Sequence, residues 1–247
     1  MATSKPNERL IVALDHGTLE GCLALVVRLA DLGLTYKVGL RGLTRFGVDG
    51  LERLKQAGGA LFLDYKMHDI PNTVAGGIEG AALLFPRFIT VHASGGREML
   101  KAAMEAAHAA EGVSDKRPEG WGRPRILGVT VLTSLDARTL KEIGFASEPR
   151  EEVLHLAALC ADCSVDGVVC SGEEVADIKR KFGDKLFAVV PGIRPSGENA
   201  GDQKRVLTPG EAIARGADFI VVGRPIYAAA DPRQAAEGIL ADMARAD

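Results

Sequence analysis

Aromatic side chains are scarce in this chain: they make up 5% of residues, with a single tryptophan. The core must therefore be built mostly from Ala, Val, Leu and Ile. No stretch approaches the ~18 consecutive apolar residues of a membrane helix, so no membrane span is expected. The opening MATSKPNERL lacks the apolar segment of a signal peptide, and the expected location is the cytoplasm. An excess of one charge sign is also missing. The 30 basic and 33 acidic side chains leave a net charge of −3. That balance gives no reason to expect a nucleic-acid or membrane partner.

Cysteine is limited to Cys22, Cys160, Cys163 and Cys170. Cys160 and Cys163 form a C-x-x-C within a helical pattern, but no second C-x-x-C and no H-x₃-H accompany it. A four-ligand zinc site is not expected. A redox pair stays open as an alternative to the preferred reading of buried, reduced thiols. H-E-x-x-H and G-x-S-x-G are absent. The segment from Gly192 to Gly197 has the glycines of a phosphate loop, but Glu198 stands where lysine is required. His16, His108 and His155 carry no functional signal and read as surface residues.

What is present is a repeated alternation. Short β-rich runs occupy 9–15, 36–40, 60–66, 88–93, 125–132, 166–171, 187–193 and 219–226. Amphipathic helical patterns follow most of them, among them Leu23–Leu32, Leu51–Ala57, Glu98–Ala110, Val153–Cys160, Glu173–Phe182 and Pro232–Ala244. Alternating strands and helices imply a parallel sheet with right-handed crossovers. Eight such units in 247 residues predict an α/β protein, a single (β/α)8 TIM barrel over 1–247. Two domains of about 120 residues would also fit the length. An open doubly wound sheet is the other arrangement, but its glycine-rich first turn is missing: the first turn reads Asp15-His16-Gly17-Thr18. The stretch 111–125, rich in Gly, Pro and charge, reads as a solvated loop at the N-terminal face.

A parallel strand buried on both faces should be apolar throughout. Several of these runs break that rule near their C-terminal ends, where barrels place active sites. Asp15, Lys37, Asp64, Lys66, His92, Thr133, Arg194 and Arg224 all fall there, and His68 and Asp69 follow Lys66 directly. Alternation puts Asp64 and Lys66 on one face. If the faces carrying Asp15, Lys37, Asp64 and Lys66 point inward, these residues converge from three neighbouring strands. Such a cluster must alternate in sign to be tolerated, and it is a functional candidate. A chain of surface salt bridges at the strand ends is the plainer reading. Asp69 would also serve simply as a cap on the helix that Pro71 begins. His92 reads equally well as a satisfied core histidine.

The last two strands point to a phosphate site. Pro191-Gly192-Ile193-Arg194-Pro195 ends one and Gly223-Arg224-Pro225 the other. Glycine lets backbone N–H groups approach a phosphate oxygen, and arginine adds a bidentate contact. Between them 195–203 is polar and long enough for a lid, with Gln203 placed to reach back to a phosphate. A structural salt bridge is the alternative for Arg224.

Together these residues resemble the orotidine 5′-phosphate decarboxylase family. The most specific element is Asp64-Tyr65-Lys66-Met67-His68-Asp69-Ile70-Pro71-Asn72-Thr73, matching D-x-K-x-H-D-I-P-x-T. IVALD, KVG, that decapeptide, TVHASGG, LTS, PGIRP and VVGRPI occur in the family's order across nearly the whole chain. The resemblance implies a decarboxylase (a carboxy-lyase) that turns orotidine 5′-phosphate into uridine 5′-monophosphate and CO₂, the last step of de novo UMP synthesis. It implies no metal and no organic cofactor. It makes Lys66 the proton donor to C6, with Asp64 facing the departing carboxylate. Asp69 and Thr73 would enter from the second subunit of a homodimer. Lys37 and Asp15 would hold the ribose, and Thr133 would touch the substrate. Gln203, Arg194, Gly223 and Arg224 would take the phosphate. The nearest rival is a Mg²⁺-dependent hexulose-phosphate synthase or sugar-phosphate decarboxylase with the shorter D-x-K-x-x-D pattern. A non-catalytic nucleotide-binding module is the rival of another class.

Overall fold

The structure is a computed structural model that describes residues 6–112, 121–195 and 207–246. Eight strands run parallel: β1 (Leu10–Ala13), β2 (Thr35–Gly39), β3 (Ala60–Met67), β4 (Phe88–His92), β5 (Arg125–Val129), β6 (Gly167–Val169), β7 (Phe187–Val190) and β8 (Phe219–Val222). They pair in sequence order, and β1 closes on β8 through Leu10↔Ile220 and Val12↔Val222. This is the expected (β/α)8 barrel. Helices such as Leu19–Leu29, Leu40–Gln56, Pro71–Ala82, Arg97–Ala109 and Pro149–Asp162 lie between successive strands.

Period-two alternation sorts the strand residues into two cores. Leu10, Val12, Tyr36, Val38, Leu61, Leu63, Ile89 and Val91 face outward into the layer beneath the helices. Ile11, Ala13, Phe62, Phe88, Leu127, Val189, Phe219 and Val221 fill the interior. Four of the chain's twelve aromatics, Phe62, Phe88, Phe187 and Phe219, pack there. Phe88 contacts Phe62 and Phe219 edge-on at 5.6 and 5.0 Å between centroids. The barrel is thus plugged by rings, and the polar residues that follow Ala13 and Phe62 on the same faces rise to its C-terminal mouth.

Most strands are shorter than their hydrophobic runs. The run expected as strand through residue 226 ends at Val222, and Arg224–Tyr227 turns into a short helix instead. Pro225 explains the change: it has no N–H for a ladder and its fixed φ suits a first helical turn. The pattern expected as a helix over Leu51–Ala57 is the second half of Leu40–Gln56, which bends at Gly47, where φ is 61°. Only the flanks of the 111–125 loop are described, with β5 starting at Arg125. Among the described residues, no helix is long and apolar enough to cross a membrane.

Gly167 shows how tightly the interior is filled. A Cβ there would stand 2.7 Å from both the Cβ and the carbonyl oxygen of Phe187. Gly167→Ala should therefore destabilise the fold by about 1–3 kcal/mol through overpacking. Urea unfolding checks this, and an unchanged midpoint would mean that the β6–β7 backbones separate freely.

Candidate active site

Asp64 is the centre of the mouth. Its carboxylate is buried and shared. Lys37, from the neighbouring β2, places Nζ 3.2 Å from Oδ2, and Lys66 places Nζ 2.8 Å from Oδ1. Burial works to raise the Asp64 pKa, but the Lys37 and Lys66 ammoniums outweigh it and hold the group below its usual value.

The way Lys66 arrives differs from simple alternation. β3 pairs with β4 at Leu63↔Ile89 and next at Met67↔Val91, so four residues of one strand advance against two of the other. Inside this bulge Lys66 has φ 50°, a conformation unusual for a side-chain-bearing residue. The buried Thr90 holds it there. Its hydroxyl accepts the Lys66 backbone N–H at 2.9 Å and donates to Asp64 Oδ1 at 3.0 Å. One hydroxyl thus fixes both the strained backbone and the carboxylate. Thr90 was not among the residues singled out from sequence. The signal was available, since it is the one hydroxyl within the buried run Phe88–Val91.

A cavity of about 180 Å³ opens above this array. Lys37, Asp64, Lys66, Thr133 and Pro191 line it, over a floor that includes Phe62, Val129 and Val221. Charged groups on one side and aliphatic surface on the other suit a flat, partly polar ring. A larger cavity, about 630 Å³, opens where β3 and β5 begin, at the opposite end of the barrel. The smaller one is the candidate reaction site because the paired ammonium and carboxylate groups face it.

Of the expected site residues, Lys37, Asp64, Lys66 and Thr133 meet in one cavity. Asp15 stands exposed at the rim beside Gly223. A Cβ on Gly223 would come within 3.3 Å of the Ala13 Cβ and 3.6 Å of Asp15 Oδ2, so glycine keeps that corner open. Arg194 sends its backbone N–H to the carbonyl of Leu207, 3.0 Å away, and its guanidinium to the Ile193 carbonyl. Arg224 begins the short helix after Gly223 and is exposed. Neither arginine lines the reaction cavity. Gln203 and nearly all of 195–203 lie outside the described residues. Asp69 and Thr73 are exposed and are not among the residues lining the cavity. The Asp69 carboxylate accepts the Ile70 N–H at 2.7 Å, one residue ahead of the helix it was expected to cap. His92 is half-buried, its ring 5.4 Å from that of His68. Burial, then the neighbouring His68 and Lys66, lowers its pKa. All four cysteines are free and buried, and burial pushes the Cys160 thiol up to about 12.

The closed barrel and its charged mouth define a (β/α)8-barrel protein with a catalytic-type site at the C-terminal face. The chain belongs to the orotidine 5′-phosphate decarboxylase / HUMPS family, whose sequence model matches residues 8–239. It is 50% identical over 238 residues to the orotidine 5′-phosphate decarboxylase of Halorhodospira halophila, covering 96% of this chain and 97% of that one. The orotidine 5′-phosphate decarboxylase of Escherichia coli (strain SMS-3-5 / SECEC) is 41% identical, covering 97% and 94%. Among solved structures, the orotidine 5′-phosphate decarboxylase of Lactobacillus acidophilus superposes with a TM-score of 0.83 at 38% identity, covering 96% and 99%.

Replacing Thr90 with valine keeps the shape and removes the hydroxyl. Thr90→Val should cost about 1–3 kcal/mol, because the Lys66 N–H loses its acceptor. Urea unfolding measures it, and a change within about 0.5 kcal/mol would mean the hydroxyl holds little.

Proposed function

We propose that this chain decarboxylates orotidine 5′-phosphate to uridine 5′-monophosphate, with Lys66 as the proton donor. The observation that carries the reading is the Lys66 ammonium 2.8 Å from the Asp64 carboxylate at the wall of a cavity sized for a ring. The named relatives support the substrate. The C6–carboxylate bond breaks, CO₂ leaves, and the electron pair remains on C6. A preorganised ammonium stabilises that developing charge and then gives C6 its proton. Asp64 keeps Lys66 charged and aimed, and Lys37 fixes Asp64 from the other side.

The remaining roles rest on the family's pattern. Asp15 and Lys37 hold the ribose hydroxyls, and Thr133 touches the pyrimidine. Arg194, Gln203, Gly223 and Arg224 take the phosphate. Binding energy from that remote phosphate serves to position the base. The protein works as a homodimer in the cytoplasm, with Asp69 and Thr73 of each copy completing the other copy's site. Charge supports this arrangement. Lys37, Asp64 and Lys66 together carry one excess positive charge, and a second carboxylate would balance it. Asp69, which is exposed, would supply that carboxylate to a second copy.

Purified protein mixed with orotidine 5′-phosphate in EDTA should show the absorbance change of pyrimidine decarboxylation. Lys66→Ala should still bind uridine 5′-monophosphate but turn over at least about 100-fold more slowly. Near-wild-type turnover by Lys66→Ala would remove the lysine from its role. A rate abolished by EDTA and restored by Mg²⁺ would favour the sugar-phosphate chemistry instead.

A further inference from the structure

The cavity of about 630 Å³ lies at the end of the barrel away from Lys66. Ala60 and Arg125, which line it, are the first residues of β3 and β5. Two of its arginines, Arg87 and Arg125, lie against the ring cluster of the interior. Arg87 lies over Phe88 and Phe219, its guanidinium carbon 5.2 and 5.1 Å from their centroids. Arg125 lies over Phe187 at 4.9 Å. Phe187 and Phe219 are themselves 5.7 Å apart. Two guanidiniums therefore rest on one connected set of rings.

Their partners differ. Arg87 donates to the Glu8 carbonyl and the Thr35 hydroxyl. Arg123, also in the lining, is matched by Asp166 in a bidentate pair at 2.8 and 2.7 Å. The half-buried Arg125 guanidinium has no hydrogen bond or ion pair among the described residues, only the ring beneath it. Its N–H groups are therefore open to the cavity and free to meet a ligand's acceptors. Two like charges over adjoining rings repel, and burial together with Arg125 holds the Arg87 pKa below its ordinary value. An anion between them would give Arg125 charged acceptors and relieve the repulsion.

The wall above is aromatic. Phe85 and Trp121 meet edge-on at 5.1 Å, and the Trp121 Nε1 is occupied by the Pro86 carbonyl. Lys55 adds a further cation 4.8 Å over Phe85. The volume falls in the usual range for small-molecule pockets, about 300–1,000 Å³. We propose that the N-terminal end of the barrel carries a second binding site, for an organic phosphate with an aromatic ring, such as a nucleoside monophosphate. The phosphate would sit on Arg125 and Arg87, and the ring would lie against Trp121.

Trp121 is the chain's single tryptophan, so its fluorescence reports on this pocket and not on the reaction cavity. Titrating the protein with adenosine 5′-monophosphate should give a saturable change in tryptophan emission. Inorganic phosphate should bind more weakly, having no ring to stack. Arg125→Ala and Arg125→Gln should each weaken the binding by about tenfold or more, while Lys66→Ala should leave it unchanged. No saturable response to adenosine 5′-monophosphate would overturn the site. So would an undiminished response in a folded Arg125 variant, and equal binding of phosphate alone would overturn the stacking contact.

Discussion

The Asp64 carboxylate is the constraint around which the mouth of this barrel is built. Both of its oxygens are engaged, one by Lys37 and the other by Lys66 and Thr90. A buried carboxylate without partners would take up a proton, and the two ammoniums prevent that. In return, the carboxylate fixes where each ammonium lies. The Thr90 hydroxyl couples this network to the backbone by holding Lys66 at φ 50°. Strain of this kind persists only where the surroundings over-determine it, and here a bulge, a hydroxyl and an ion pair do so together.

The two ends of the barrel treat charge differently. At the mouth, cations pair with a carboxylate above an apolar floor, an arrangement suited to stabilising charge that develops during a reaction. At the opposite end, Arg87 and Arg125 rest on aromatic faces. There the negative face of each ring stands in for a carboxylate. The same interior phenylalanines separate the two ends. Aromatics are scarce in the chain as a whole, yet four of them supply the bulk of the barrel interior.

The barrel itself was legible in the sequence because eight β-rich runs alternate with helical ones, and burial follows that alternation. Strand ends were less legible. Residues such as Arg224 sit in runs that look continuous, and only Pro225 marks the turn into a helix. The convergence of Lys37 and Asp64 followed from period two alone. Lys66 was placed beside Asp64 by the same rule, but the observed contact depends on a two-residue bulge that alternation does not contain. Thr90 escaped notice because a lone threonine in a strand usually reflects β-propensity. The roles proposed for Asp69 and Thr73 would need a second copy of the chain. One chain's periodicity carries no record of which exposed residues meet a second copy.

Asp64 must remain ionised between its two lysines, and carbon-13 NMR of aspartate-labelled protein reads that directly, with Asp64→Asn to assign the signal. In the folded protein the Asp64 carboxylate should titrate below its ordinary value of 3.8. A midpoint at or above that value would mean that burial overrides the ammoniums, and that Lys66 is not held by a charged partner.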